Sequence, residues 1–343
     1  MISKSSLTNY EMNLVNKLTE KEKELFFTLI PFALQESDAT LISHYYTAPI
    51  IQLLTEKTNG KVADSLGMAR FGEKCNSRTL VISGVHFMGE SAKILNPDKK
   101  IIMPDLKATC SLDLGCSYSD FKDFIKKHPG REIVVYANTS AAVKSLSDWV
   151  VTSSNALDIV SYLKNNGKKI LWAPDKYLGD YIKSKTCADM VIWQGECIVH
   201  AEFKTKKLKI MKEMYPNAAI LVHPEAPNSV IAEADVVGST SALINAVAQL
   251  PNPEFIVATD KGIFYKMQQV APTKQLIAAP TEEDGSKCNS CSNCPWMALN
   301  TLNGIYECLS NPTSHEINID PDIEYKAKIP MDRMVNYQNI INF

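Results

Sequence analysis

The chain has 343 residues, 36 Lys and Arg against 38 Asp and Glu, 45% hydrophobic and 22% charged residues. This length predicts two or three domains with a substantial core, and a net charge of −2 gives no general attraction for nucleic acid or anionic lipid. No apolar run reaches the ~18 residues of a membrane span, and Met1–Glu20 lacks the basic start and apolar middle of a secretory signal. A cytoplasmic chain with no nucleic-acid and no membrane partner is therefore expected.

Residues 1–38 read as a helical region. Leu14, Leu18, Leu25, Phe26 and Leu29 recur at helical spacing with charges between them. Pro31 is expected to end or kink this region. Beyond it, short runs rich in Val and Ile recur roughly every 15 to 25 residues, the signal of strands bounded by polar turns. They include 40–46, 79–85, 100–104, 133–138, 149–153, 169–174, 190–194, 219–223, 235–239 and 255–259. Continuous hydrophobicity suits parallel strands buried on both faces. Between them lie helices. One covers 156–164, with Asn155 as N-cap and Asn166-Gly167 as its stop. Another covers 202–215 and ends at Pro216. Its lysines, Lys204 to Lys212, read as a solvated face. Strands alternating with helices predict an α/β fold with parallel sheets.

The strand ends repeat at a period of roughly 90 residues. His44-Tyr45-Tyr46, Tyr136-Ala137-Asn138 and His223-Pro224-Glu225 form one series. Asp64-Ser65, Ser153-Ser154 and Ser239-Thr240 form a second. The third comprises Ser83-Gly84, Ala173-Pro174-Asp175 and Ala258-Thr259-Asp260. Each unit then meets a cysteine: Cys110, Cys197 and Cys294. The expected architecture is three α/β/α units related by a pseudo-threefold axis, at residues 39–125, 126–212 and 213–300. The last segment, 301–343, is expected to pack back on the first unit. Ligands bind beyond the carboxyl ends of parallel strands, so all three sets of ends would face one central site.

Nine cysteines without an export signal point to metal or redox chemistry rather than a disulfide framework. Cys288-x-x-Cys291-x-x-Cys294-Pro295 is the densest cluster, and spacing does not decide which member binds. Three thiolates, one per unit, make an incomplete set for a [4Fe–4S] cluster and leave one iron open. Zinc on Cys288 and Cys291 with two distant ligands is the alternative. Cys75, Cys187 and Cys308 read as small buried hydrophobes. Among the strand-end residues, His44 and His223 suit anion binding or proton transfer, and Glu225 suits a general base. Ser65, Ser153, Ser239 and Thr240 offer hydroxyls to substrate carboxylates, although each also fits a helix cap, and Ser154 reads as one.

Taken together, these stretches resemble the quinolinate synthase family of bacteria (type A, iron–sulfur). The matching segments are His44-Tyr45-Tyr46-Thr47, Asp64-Ser65-Leu66-Gly67-Met68-Ala69-Arg70, Val85-His86-Phe87-Met88-Gly89-Glu90-Ser91-Ala92-Lys93-Ile94-Leu95 and Cys110-Ser111-Leu112-Asp113-Leu114-Gly115-Cys116. They continue with Val135-Tyr136-Ala137-Asn138-Thr139-Ser140, Val151-Thr152-Ser153-Ser154-Asn155-Ala156, Trp172-Ala173-Pro174-Asp175-Lys176 and Trp193-Gln194-Gly195. His223-Pro224-Glu225, Gly238-Ser239-Thr240 and Cys294-Pro295-Trp296-Met297 complete the set, so the likeness spans residues 36–335.

The resemblance implies three domains around a central [4Fe–4S] cluster held by Cys110, Cys197 and Cys294, one per chain, with one open iron. Cys288 and Cys291 are then a spare pair, expected to form a reversible disulfide outside the site. The implied reaction condenses iminoaspartate with dihydroxyacetone phosphate to quinolinate, phosphate and water in de novo NAD biosynthesis, with the open iron as Lewis acid. Implied substrate contacts are His44, Ser65, Tyr136, Asn138, Ser153, His223, Glu225 and Thr240. Tyr136 and Glu225 are read as the proton-transfer pair, and His44 and His223 as placing anionic groups. A transient contact with an L-aspartate oxidase is a possible partner interaction. Two rivals explain the cysteines alone: an electron-transfer iron–sulfur protein and a zinc-binding interaction protein.

Overall fold

The computed structural model describes residues 18–281 and 292–341. It contains three four-stranded parallel sheets. The first comprises β1 (Ala39–His44), β2 (Lys61–Ala63), β3 (Thr79–Ser83) and β4 (Lys100–Ile102), in the order β2-β1-β3-β4. The second comprises β5 (Glu132–Tyr136), β6 (Trp149–Val151), β7 (Ile170–Ala173) and β8 (Met190–Ile192), in the order β6-β5-β7-β8. The third comprises β9 (Ala219–Val222), β10 (Val236–Val237), β11 (Glu254–Ala258) and β12 (Gln275–Ala278), in the order β10-β9-β11-β12. One strand order occurs three times, as expected of repeated α/β/α units.

Alternation of side chains explains why these strands are apolar throughout. Leu41 and Val81 join one core, while Ile42, Leu80 and Ile82 join the other. In the third sheet Leu221, Phe255 and Val257 face one side, and Ile220, Val222 and Ile256 face the other. Helices cover both faces, so neither register face can be polar.

Three local expectations need correction. The first described helix, Glu20–Glu36, runs through Pro31, so the proline does not end it. A proline forfeits one hydrogen bond and costs about 3 kcal/mol, but Ile30 and Leu34, both buried on the same face, are each worth about 1.5–3 kcal/mol. Asn155 occupies the N-cap position of Ala156–Asn165 without capping it. Its Oδ1 accepts from the Thr152 amide at 2.7 Å instead, and its Nδ2 donates to the Met334 carbonyl. The helix expected from residue 202 starts at Thr205, after a 3-10 turn at His200–Glu202. Gly167 does provide the left-handed stop, at φ +72°.

The C-terminal chain crosses two units. Helix Leu302–Ser310 packs on the first helix and β3, with Ile305 and Cys308 fully buried. Glu316 forms an antiparallel bridge with Ile102. Helix Pro321–Val335 then lies across His86–Leu95 of the first unit and β6 of the second. No helix among the described residues is long and apolar enough to cross a membrane.

Candidate functional site

The carboxyl ends of the three sheets surround a central cavity of about 70 Å³. From the first unit it is lined by His44, Ser65 and Cys110. The second contributes Tyr136, Asn138, Ser153 and Cys197. From the third come His223, Glu225, Thr240 and Cys294. Cys110, Cys197, Cys294 and the eight substrate contacts implied by the resemblance therefore line one space, whereas Ser239 is not among its lining residues. Cys75, Cys116, Cys187 and Cys308 lie elsewhere: Cys116 and Cys308 are buried, Cys75 is half-buried and Cys187 is exposed. Cys288 and Cys291 lie outside the described residues.

Local structure explains these placements. His44 and Tyr136 are the last residues of β1 and β5, and His223 follows β9 directly. Ser239 spends its hydroxyl on the Ala242 amide as an N-cap, which leaves Thr240 to line the cavity. Ser154, expected to cap, instead donates to Asp64 Oδ2 at 2.9 Å. Cys110 stands at the N-cap position of Ser111–Leu114. The Cys197 and Cys294 carbonyls each accept from an amide of the turn that follows, those of Ala201 and Ala298.

Two carboxylates from the ends of β7 and β11 stand behind these cysteines. Asp260 accepts from the Gly262 amide at 2.7 Å and from the Cys294 amide at 2.5 Å. Burial pushes its carboxyl up to about 6, against the opposing Gly262 and Cys294 amides. Asp175 accepts from the Leu178 amide at 2.6 Å, and its Oδ2 is buried without a hydrogen-bond partner. Burial, then the Glu225 charge, push the Asp175 carboxyl well up, while the Leu178 and Cys197 amides oppose them.

A hydrogen-bonded chain runs along the cavity wall. Tyr136 donates its hydroxyl to Glu225 Oε1 at 2.6 Å. Glu225 Oε2 lies 3.1 Å from His200 Nδ1, and both residues are 3% exposed. The same Nδ1 lies 3.2 Å from Cys197 Sγ. His200 Nε2 is 2.9 Å from Thr259 Oγ1, which is 2.6 Å from the Tyr46 hydroxyl. His200, Tyr46 and Thr259 were not nominated from sequence. The Cys197-x-x-His200 spacing was the available signal for His200.

Electrostatics sorts these groups. Burial pushes the Glu225 carboxyl up, but the charge and hydrogen bond of His200, with His223 and Tyr136, outweigh it and hold it down to about 2. Burial lowers His44 to about 4 and His223 to about 3, against the pull of nearby carboxylates. Both rings are therefore neutral at pH 7 and can meet an anion only through N–H donation. Burial and the Glu225 charge raise the Tyr136 hydroxyl well above its usual value, so it stays protonated.

The cysteines fit a metal centre. Burial raises all three thiols, Cys294 to about 12. The Cys294 charge raises Cys110 further, and the charges of Glu225, Cys110 and Cys294 raise Cys197 further. Cys110, Cys197 and Cys294 line one cavity, and a metal group there would favour their thiolate forms. Cys197, His200 and Glu225 also bring ligand atoms within 4.8 Å of one another, a set that could hold a single ion.

Residues 29–336 match the family model described as quinolinate synthetase A protein. This span covers most of the 343-residue chain. The chain belongs to that family, the quinolinate synthases of NAD biosynthesis.

Proposed function

We propose that this enzyme condenses iminoaspartate with dihydroxyacetone phosphate. The products are one quinolinate, one phosphate and two waters. Carbon, hydrogen, oxygen and nitrogen balance without an oxidant or reductant, so the site has to bind, orient and move protons. The observation that carries the reading is convergence. One cysteine per unit borders the same cavity as a buried Tyr136–Glu225 pair and hydroxyls from all three units.

Cys110, Cys197 and Cys294 would hold a [4Fe–4S] cluster. When bound, such a cluster supplies an iron with a free coordination position and hence Lewis acidity. The chain's own residues have distinct tasks. Ser65, Asn138, Ser153 and Thr240 would hold substrate carboxylates by hydrogen bonds. Neutral His44 and His223 would place anionic groups by N–H donation. Glu225, ionised at neutral pH, would accept a proton, and the Tyr136 hydroxyl 2.6 Å away would return one. Holding two small reactants in one cavity removes the entropy cost of their encounter, and excluding water protects the imine from hydrolysis.

Stoichiometry tests the reading. Anaerobic protein supplied with fresh iminoaspartate and dihydroxyacetone phosphate should release phosphate and quinolinate one for one. Phosphate released without quinolinate would mean that the carbon–carbon bond is not made here. A mononuclear zinc site on Cys197, His200 and Glu225 is the competing use of the same wall, and it leaves Cys110 and Cys294 idle.

A further inference from the structure

We infer that Asp64 is a positioning residue that ties all three units together beside the cavity. Its Oδ1 accepts from the Gly67 amide at 2.8 Å and caps the helix Ser65–Lys74. Its Oδ2 accepts from Ser154 Oγ of the second unit at 2.9 Å and from Ser241 Oγ of the third at 2.7 Å. One carboxylate oxygen therefore receives a hydroxyl from each of the other two units.

The placement follows the repeat. Asp64, Ser154 and Ser241 stand just past β2, β6 and β10, which occupy the same edge position in the three sheets. Each is the chain neighbour of a residue lining the cavity: Ser65, Ser153 and Thr240. Fixing the three tie residues at hydrogen-bond distance fixes the separation of the three hydroxyls proposed to hold substrate. Asp64 and Ser154 are themselves on the cavity wall, and both, like Ser241, are only half-buried.

Chemistry explains why a carboxylate is needed. An ionised Asp is acceptor-only, so one oxygen can take two hydroxyls while the other takes an amide. Asparagine cannot do both. If its oxygen faces the serines, its NH₂ opposes the Gly67 N–H; turned over, it opposes two hydroxyls that must then redirect.

The inference deepens the proposed reaction, and its test separates the two. The main variant is the double substitution Ser154→Ala with Ser241→Ala in the full-length holoenzyme, which leaves the Asp64 helix cap intact. Deuterium exchange needs no substrate, and it should rise in all three helix starts: 65–68, 154–158 and 240–243. The KM for substrate should rise at least tenfold with kcat within threefold, because binding geometry is lost while the proton-transfer pair is untouched. Asp64→Asn should raise KM similarly, and adding it to the double variant should change KM less than twofold further. Exchange confined to one unit, or unchanged exchange and KM in the double variant, would overturn the tie. Raised exchange in all three segments, with no quinolinate from any protein including wild type, would keep the tie and reject the reaction.

Discussion

Glu225→Gln tests the proton-transfer assignment most sharply. The amide keeps the size of the carboxylate, and its oxygen can still accept from Tyr136, so the 2.6 Å contact and the cavity wall survive. What disappears is the charge facing His200 at 3.1 Å and the capacity to take a proton. A hydrogen bond to a charged group contributes about 1.5–3 kcal/mol, which alone would slow turnover about 10- to 150-fold at 1.36 kcal/mol per factor of ten. Loss of a general base costs about 10²- to 10⁴-fold. The expected fall in kcat is therefore 10²- to 10⁴-fold, about 3–5 kcal/mol of barrier, with KM little changed. Quinolinate is measured chromatographically under anaerobic conditions on samples matched for iron per chain. A variant within tenfold of wild type would refute the base assignment. A raised KM at unchanged kcat would reduce Glu225 to a binding group.

Other outcomes follow from the same geometry. Cys110→Ser, Cys197→Ser and Cys294→Ser should each lose bound iron and visible absorption, whereas Cys187→Ser, at an exposed position, should keep both; iron retained in any of the three would remove that residue from the ligand set. Gly262→Ala would place a Cβ 2.6 Å from the Tyr46 Cα, where backbone has to yield. It should cost about 1–3 kcal/mol in urea unfolding and lower quinolinate formation, and a protein unchanged in both would contradict this packing. His44 and His223 are held below the ordinary histidine value by burial, to about 4 and about 3. Their contribution to stability is fully present above about pH 6.5 and is lost as pH falls toward those values, because the unfolded state binds more protons. Unfolding midpoints between pH 7.5 and 5 should fall less steeply in His44→Gln than in wild type; parallel curves would show that His44 does not titrate this way.

The repeat was legible because it is written in two signals that survive sequence divergence. Both-face burial forces unbroken apolar strands, and parallel topology collects polar residues at their carboxyl ends. Hence His44, Tyr136 and His223 could be nominated before any coordinates. Side-chain direction was not legible. Nothing in Ser153-Ser154 says which hydroxyl meets Asp64, since that choice is made by a residue some ninety positions away. His200 escaped for a different reason: it sits on a 3-10 turn after Cys197, with no strand or helix periodicity to place it. Asp175 and Asp260 were visible as strand ends, and the Leu178 amide meets Asp175 as a local helix cap, but the Cys294 amide reaches Asp260 only through the fold. Pro31 does not end its helix, because local propensity is outweighed by the packing of Ile30 and Leu34.

The most direct measurement is iron and acid-labile sulfide in anaerobically purified protein, with quinolinate formation assayed on the same sample. About four irons and four sulfides per chain are expected, as one [4Fe–4S] cluster requires, together with quinolinate from iminoaspartate and dihydroxyacetone phosphate. Absence of iron after anaerobic reconstitution, or a full cluster with no quinolinate, would contradict the proposed function.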